Sequence, residues 1–236
     1  MNPLLDIPIS KIRETLLLMS SLAERNFTLA IQALLERDGK IADRVEDEDD
    51  RLDQLEIDID EHVIGYIATR GPVATDCRFA LAASKISSNL ERIGDEATTI
   101  ARRSRLLNQE PPLGPAFDLS RIVEIASQML YDSMTAFIEK TPELALEIVG
   151  RDQEVDDLHH QLVRDLTGRM KEDEQSINRC INWIRIVQCI ERIADHAANI
   201  AEHVYYLYRA RDIRHGGAEQ EQATLQTQAP LPPGSP

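Results

Sequence analysis

The sequence predicts an all-α protein built from two tandem three-helix bundles that arose by internal duplication. Aromatic residues make up only 4% of the chain, apolar residues recur at helical spacing, and one acidic sequence occurs twice. Ala, Ile, Leu, Glu, Asp and Arg dominate, which favours helices packed on helices over a β-sandwich rich in Tyr, Phe and Val. A hydrophobic fraction of 42% in 236 residues is ample for a packed core.

Six long segments have a helical period, and turn signals separate them. The sequences RDGK, TRGP, NQEPPLGP and KTPE are typical of turns or helix starts, and a softer break falls at KEDEQS. Pro72 and Pro142 are suited to the first turn of a helix. The predicted helices span residues 10–37, 40–69, 72–107, 118–140, 142–171 and 175–211.

The duplication is visible in two pairs of segments. ERIGDEATTIA at Glu91–Ala101 and ERIADHAANIA at Glu191–Ala201 share seven of eleven residues, and DDRLDQLEIDI from Asp49 aligns with DQEVDDLHHQL from Asp152. We therefore predict a first three-helix repeat over 9–107, a linker over 108–117 and a second repeat over 118–213. Residues 214–236 are rich in Gln, Pro and Gly, and we expect a disordered tail there.

The charge balance narrows the range of partners. Lys and Arg number 26 against 41 Asp and Glu, which gives a formal net charge of −15. Because the negative electrostatic potential of the protein repels nucleic acid, cations or basic protein surfaces are better candidate partners. No segment approaches the roughly 20 apolar residues of a membrane span, and the N-terminus lacks the features of a secretory signal. Three cysteines without a CxxC pair fit reduced thiols in a cytoplasmic protein.

Carboxylates line the border of the apolar stripe on the second and third helix of each repeat. Like charges one turn apart repel, so such a row is destabilising unless a cation or a basic side chain neutralises it. Hard cations prefer carboxylate oxygens, and His159 would suit iron, zinc or manganese better than calcium. A single pair is more often a solvated face, and a duplicated solvated face would look the same. The rows contain Asp49, Asp53, Glu56 and Asp60 on the second helix and Glu91 and Asp95 on the third, then Asp152 and Asp156, and, on the last helix, Glu191, Asp195 and Glu202.

Three further polar positions stand near these rows. Arg92 and Arg192 follow the glutamate in both copies and could pair with the acidic rows or contact a partner. From spacing alone, we expect exposed arginines lying along the helix. His196 replaces Glu96 in the second copy, and we expect a surface histidine there.

The repeated ERIGD-like sequence, together with IDEHVIGYIATRGPVATDCRFALAASKISSNLERIGD and YRARDIRHGG, resembles the PhoU family of bacterial phosphate-transport accessory proteins. The resemblance runs from about Ile9 to Gly217. It implies a cytoplasmic, homodimeric, non-catalytic regulator of phosphate homeostasis. Such a protein damps the phosphate-starvation response by contacting a sensor histidine kinase and the ATP-binding subunit of the phosphate ABC transporter, and it meets the membrane only through these partners.

The resemblance also implies metal binding on the acidic rows, with iron, zinc, manganese or magnesium as candidate ions. Several positions differ between the repeats: Gly94 becomes Ala194, Glu96 becomes His196, Glu56 becomes His159 and Arg102 becomes Glu202. The affinities, and even the metals, of the two sites are therefore expected to differ. The implied ligands are Asp49, Asp53, Glu91 and Asp95 in the first repeat and Asp152, Asp156, Glu191 and Asp195 in the second.

Two other functions compete with the regulatory adaptor. A carboxylate-bridged metalloenzyme of the helical-bundle type requires Glu-x-x-His on two helices with its ligands inside the core. The chain has no Glu-x-x-His, and its one Asp-x-x-His in register with a row, Asp156 to His159, lies in one repeat only. A structural scaffold whose acidic rows serve solubility would bind neither metal nor a specific partner. No nucleophile with a paired base and no phosphate-binding glycine loop is recognisable.

Overall fold

A computed structural model shows six α-helices and describes residues 8–113 and 118–214, with Gly217, Ala218 and Glu221. The described residues contain no strand, so the all-α prediction is confirmed. Each helix begins and ends within three residues of its predicted segment. The helices are α1 (Ile9–Glu36), α2 (Gly39–Arg70), α3 (Thr75–Asn108), α4 (Ser120–Glu139), α5 (Pro142–Glu172) and α6 (Ile177–Arg209).

Local backbone chemistry explains where several helices begin and end. The Asp38 carboxylate accepts a hydrogen bond from the Lys40 backbone N–H at 2.8 Å and caps α2. Gly71 ends that helix in the left-handed conformation at φ 56°, which glycine adopts without strain. Pro142 opens α5 as predicted, but Pro72 does not open α3. The chain uses residues 72–74 to reverse direction after Gly71, so α3 begins at Thr75.

The two repeats form three-helix bundles that meet along α3 and α6. Helix α1 packs on α2 and α3, α4 packs on α5 and α6, and α3 packs against α6 at the centre. The apolar stripes read from the sequence all face the interior. In α2 they comprise Val45, Leu52, Leu55, Ile59 and Val63, and in α6 Ile186, Ile190, Ile193, Ala194, Ala197, Ala201 and Val204.

An aromatic contact also joins the repeats. The rings of Phe79 on α3 and Phe137 on α4 stack with their centroids 6.2 Å apart. The Arg13 guanidinium of α1 lies 4.9 Å from the centroid of the Phe79 ring, close enough for a cation–π interaction. Helices of both repeats therefore converge on one aromatic pair.

The chain beyond α6 is described only in part. The predicted disordered tail covers 214–236, and within it the structure describes Arg214, Gly217, Ala218 and Glu221, so the rest of that prediction lies outside the described residues. Among the helices described, none has the length and hydropathy needed to cross a membrane.

Gly94 allows α3 to pack closely against α2 in the first repeat. A Cβ added at Gly94 would lie 2.3 Å from Leu52 Cδ1, and Leu52 is fully buried. The second repeat has Ala194 and Val155 at the matching positions. A larger residue on one helix therefore accompanies a smaller one on the other.

Exchanging this pair tests whether the contact limits the packing. We expect the free energy of unfolding of the double variant, Gly94→Ala with Leu52→Val, to exceed the value expected from the two single effects. The difference should be at least about 1 kcal/mol. Gly94→Ala alone overpacks the core at a cost of about 1–3 kcal/mol, against a gain of about 1 kcal/mol in helix propensity. Urea denaturation of the four proteins measures this coupling.

Gly168→Ala in α5 is the matched control, because no atom lies within 4 Å of a Cβ added there. It reports the gain in helix propensity alone. If the effects of the two substitutions on the free energy of unfolding were additive, the close contact would be contradicted. Leu52 would then adopt another rotamer at no cost in stability.

Candidate functional site

The first acidic row joins α2 to α3. Asp49 and Asp53 lie on α2, and Glu91 and Asp95 lie on α3; Asp53 is exposed and the other three are half-buried. Thr98 donates a hydrogen bond to Asp49 Oδ1 at 3.1 Å. Burial raises the pKa of the Asp49 carboxyl, and the charges of Asp95 and Asp53 raise it further. The structure therefore brings carboxylates of both helices into one electrostatic group.

Glu91 is the most strongly perturbed member of this first row. Burial raises the pKa of Glu91 to about 7, and the Asp95 charge adds to the shift. Arg92 opposes it, since its guanidinium lies 3.3 Å from Glu91 Oε2 and 3.1 Å from Asp95 Oδ2. One arginine thus contacts both α3 carboxylates of the first row.

The second acidic row has the same layout on α5 and α6. Burial, followed by the charges of Asp156 and Asp195, raises the pKa of Asp152 to about 6. Burial and the same two aspartates also raise the pKa of Glu191, whereas the charge of Arg192 lowers it. Within the described residues, none of the four predicted carboxylates of this row has an ion-pair partner within 4.0 Å.

Glu202 extends the second row by two further helical turns after Asp195. Burial raises the pKa of Glu202 to about 7, and the charges of Asp212, Asp195 and Asp152 contribute, whereas Arg214 opposes them. The sequence placed Glu202 on the acidic stripe but not among the implied ligands. Its electrostatic connection to α5 depends on how α5 and α6 pack, which periodicity alone does not give.

The donor chemistry of both rows fits a cation, but the side chains do not form a closed site. Carboxylate oxygens are the ligands of hard cations, and a positive ion would relieve the repulsion that raises these pKa values. Across the described part of the chain, no three His, Cys, Asp or Glu side chains converge closely enough to hold one metal ion. Ion binding would therefore require the carboxylates to rotate toward one another.

His159 is half-buried on α5, near Asp156. Burial lowers the pKa of its imidazole, His160 lowers it further, and Asp156 raises it. The structure therefore places the predicted imidazole beside one carboxylate of the second row, within one helical turn.

Sequence reasoning missed a polar contact between the repeats. Arg192 does not lie along its own helix: it donates a hydrogen bond to Glu96 Oε1 of α3 at 3.0 Å, and Arg185 Nη2 lies 3.6 Å from Glu96 Oε2. Glu96 is only 9% exposed. The repetition of Arg92 and Arg192 was the available signal, but spacing within one helix does not reveal a partner 96 residues away.

His196 also lies at this contact, so it is not the surface histidine that the sequence suggested. Its Nδ1 lies 3.0 Å from Asn89 Oδ1 of α3, and the ring is half-buried. Because α3 and α6 are related by the duplication, position 96 faces α6 and position 196 faces α3. Arg192 and His196 were misjudged because the partner of each belongs to the other repeat.

Comparisons with known proteins agree with this geometry. A family model for the PhoU domain matches residues 16–104 and 119–204. The phosphate-specific transport system accessory protein PhoU homolog of Pseudomonas putida is 37% identical over 220 residues, covering 92% of this chain and 86% of that protein. The homolog of Aquifex aeolicus is 37% identical, with 88% of this chain and 94% of that protein covered.

Two solved structures share the fold. The crystal structure of PhoU from Pseudomonas aeruginosa superposes with a TM-score of 0.83 at 36% identity, covering 86% of this chain and 97% of that chain. The phosphate transport system regulatory protein PhoU from Streptococcus pneumoniae superposes with a TM-score of 0.80 at 26% identity, covering 86% and 96%. With its two matched domains and its relatives of similar length, the chain belongs to the PhoU family.

Proposed function

We propose that this protein is an accessory protein of high-affinity phosphate transport and a negative regulator of the phosphate-starvation response. The observation that carries this proposal is the match of the PhoU domain to both repeats. Relatives that cover most of the chain are named phosphate-specific transport system accessory proteins. The protein would act in the cytoplasm, without catalysis, as an adaptor between the sensor histidine kinase and the ATP-binding subunit of the phosphate ABC transporter.

The exposed face of α2 supports an adaptor role. Asp53, Ile57, Asp60 and Ile64 follow one another at helical spacing, so acidic and apolar side chains share one stripe. Ile57 is 53% exposed and Ile64 is 64% exposed. Exposed apolar side chains grouped in this way are typical of interaction surfaces. A partner with a basic and apolar surface would complement this face.

We further propose that the two acidic rows hold metal ions, with iron, zinc, manganese and magnesium as candidates. Asp49, Asp53, Glu91 and Asp95 would hold one site, and the four matching carboxylates of α5 and α6 the other. The raised pKa values of Glu91 and Asp152 support this role, because each row concentrates negative charge at the edge of a core. A bound cation would neutralise the row and offer free coordination positions to a partner's carboxylates.

A homodimer is the assembly proposed for this chain, because the chain belongs to the PhoU family.

The metalloenzyme alternative gains no specific support. The carboxylates of both rows lie beside the buried stripes of α2, α3, α5 and α6, whereas enzymes of that type direct their ligands into the bundle core.

Metal binding is tested by elemental analysis of protein purified without a histidine tag. We expect more than about one equivalent of metal per chain, because each row concentrates carboxylate oxygens, the ligands of hard cations. The metal should be lost when Glu91, Asp95, Glu191 and Asp195 are all changed to alanine. Absence of metal from the unmodified protein, even after reconstitution, would refute the metal role and leave the adaptor role standing.

The raised pKa of Glu202 gives a pH dependence in metal-free protein. The folded state binds the Glu202 proton more tightly than the unfolded state, so this stabilisation is full below pH 4.5 and is lost as pH rises through about 7. Glu202→Gln should abolish this loss, on the order of 1–3 kcal/mol. Urea denaturation with a chelator at several pH values measures it, and unchanged pH dependence in the variant would contradict the raised pKa.

Docking through α2 is tested with Ile64→Glu. We expect the variant to lose binding to the transporter's ATP-binding subunit in a pull-down, because a charge replaces an exposed apolar contact. In cells lacking the native protein, a phosphate-starvation reporter should stay several-fold more active in phosphate-rich medium. Leu35→Glu is the control, since Leu35 on α1 is 67% exposed and far along the chain from this face. Equal binding by both variants would rule out this surface.

A further inference from the structure

Helices α1 and α4 contact each other, and their exposed residues form a surface that we call the α1–α4 face. The Arg13 guanidinium, near the start of α1, lies 5.6 Å from the centroid of the Phe137 ring near the end of α4. Leu17 follows Arg13 by one helical turn, and Ile138 follows Phe137 directly. The beginning of α1 therefore meets the end of α4, with Leu17 and Ile138 close to the junction.

Large apolar side chains project from the α1–α4 face into water. The exposed fractions of Leu17, Leu18, Tyr131 and Ile138 lie between 39% and 57%. Tyr131 and Ile138 are two helical turns apart and share one stripe of α4. Among the aromatic side chains of residues 8–113 and 118–214, Tyr131 alone is more than half exposed. Exposed apolar and aromatic side chains grouped in this way are typical of protein interfaces.

The middle of this face carries no charge, although the chain as a whole is strongly acidic. Helix α1 has three basic and three acidic residues, whereas α2 has four basic and eleven acidic residues. No charged residue occurs between Glu14 and Glu24 of α1, or between Glu124 and Asp132 of α4. Asp132 itself is paired with Arg151 of α5 at 2.6 Å. The exposed leucines and Tyr131 therefore lie in an uncharged band.

The charges that border this band are paired or balanced. Arg25 contacts Glu48 of α2, and Arg121 contacts Glu154 of α5, each at 2.7 Å. Near the junction of α1 and α4, the exposed charged residues are two basic and two acidic: Lys11, Lys140, Glu14 and Glu139. The α1–α4 face therefore has almost no net charge.

A second copy of this chain is the partner that such a face fits. Two copies with a net charge of −15 each repel one another, so they approach most easily where few charges oppose. Two copies meeting through α2 would bring Asp53 and Asp60 of each protomer toward the acidic residues of the other. A basic partner, by contrast, gains electrostatic attraction at α2 and almost none at the α1–α4 face.

We propose that the α1–α4 face is the interface of a two-fold symmetric dimer, with Leu17, Tyr131 and Ile138 near its centre. This inference rests on the homodimer proposed above and adds the surface through which the two copies meet. A two-fold contact uses the same patch on both protomers. Each apolar side chain of the patch is therefore buried twice, once in each protomer.

Sedimentation equilibrium of the full-length protein measures the dimer dissociation constant. Leu17→Glu and Ile138→Glu should each raise it at least about hundredfold, because both protomers then place an unpaired carboxylate in the interface. Leu35→Glu is the matched control, since it adds the same charge to the same helix 18 residues further along. That position lies roughly 27 Å away along the helix axis, so its dissociation constant should stay unchanged. Urea denaturation verifies that each variant folds.

Opposite charges test whether the same patch lies on both protomers. The double variants Leu17→Glu with Ile138→Glu and Leu17→Lys with Ile138→Lys should each be monomeric alone. When mixed, they should form a heterodimer, because the introduced charges then attract each other across the interface. A mixture that stays monomeric would overturn the two-fold arrangement.

Salt distinguishes an apolar interface from one held by charge. As NaCl rises from about 0.05 M to about 0.5 M, we expect the dimer to become tighter, because salt screens the repulsion between two acidic chains. Dissociation of the dimer over the same range would overturn the inference, since attraction between charges would then hold it together.

The failure of the interface and the failure of the homodimer are distinguishable. An unmodified protein that is monomeric would refute the homodimer and the interface with it. A dimer whose dissociation constant is the same in Leu17→Glu and Ile138→Glu protein would overturn the interface alone. If the same two variants then failed to bind the transporter's ATP-binding subunit in a pull-down, the α1–α4 face would belong to that partner instead.

Discussion

The packing of α3 against α6 is the contact on which the rest of the structure depends. Each of these helices buries an apolar stripe in its own bundle and a second surface against the other repeat. The acidic residues can occupy only the border that remains. A carboxylate at such a border is partly removed from water, so its pKa rises, and neighbours of the same charge raise it further. The α3–α6 contact thus limits where acidic residues can lie on these two helices, and the packing of α2 on α3 and of α5 on α6 determines how strongly the pKa values of the rows are raised.

The same contact explains why a charged pair is tolerated inside the molecule. Glu96 is 9% exposed, and a buried carboxylate without partners is strongly destabilising. Arg192 and Arg185 supply those partners from the other repeat. Breaking such a pair leaves one charge uncompensated, so it favours a single register of α3 on α6. Apolar packing alone would specify that register less sharply.

The helices were predictable because their apolar period extends over 20 or more residues in each, and the acidic rows were predictable because helical spacing fixes which residues share a face. The start of α3 was placed too early because a proline favours a first helical turn without requiring one. Arg192 and His196 were misjudged for a different reason: their partners lie on another helix, and one sequence does not reveal the rotation of one helix against another. The placement of Glu202 beside α5 has the same origin.

The substitutions between the two repeats have different effects in the core and at the charged surface. Gly94 faces Leu52 in the first repeat, and Ala194 and Val155 occupy the equivalent positions in the second, so the summed volume changes little. A dense core requires this compensation, since each added or lost methyl group is destabilising. At the rows, by contrast, Arg102 becomes Glu202, which reverses the charge at that position, and Arg214 lies close enough to Glu202 to oppose the rise of its pKa. Solvent-facing borders tolerate such changes at small cost in stability, so the two halves of one scaffold can keep the same core while their acidic rows acquire different electrostatic properties.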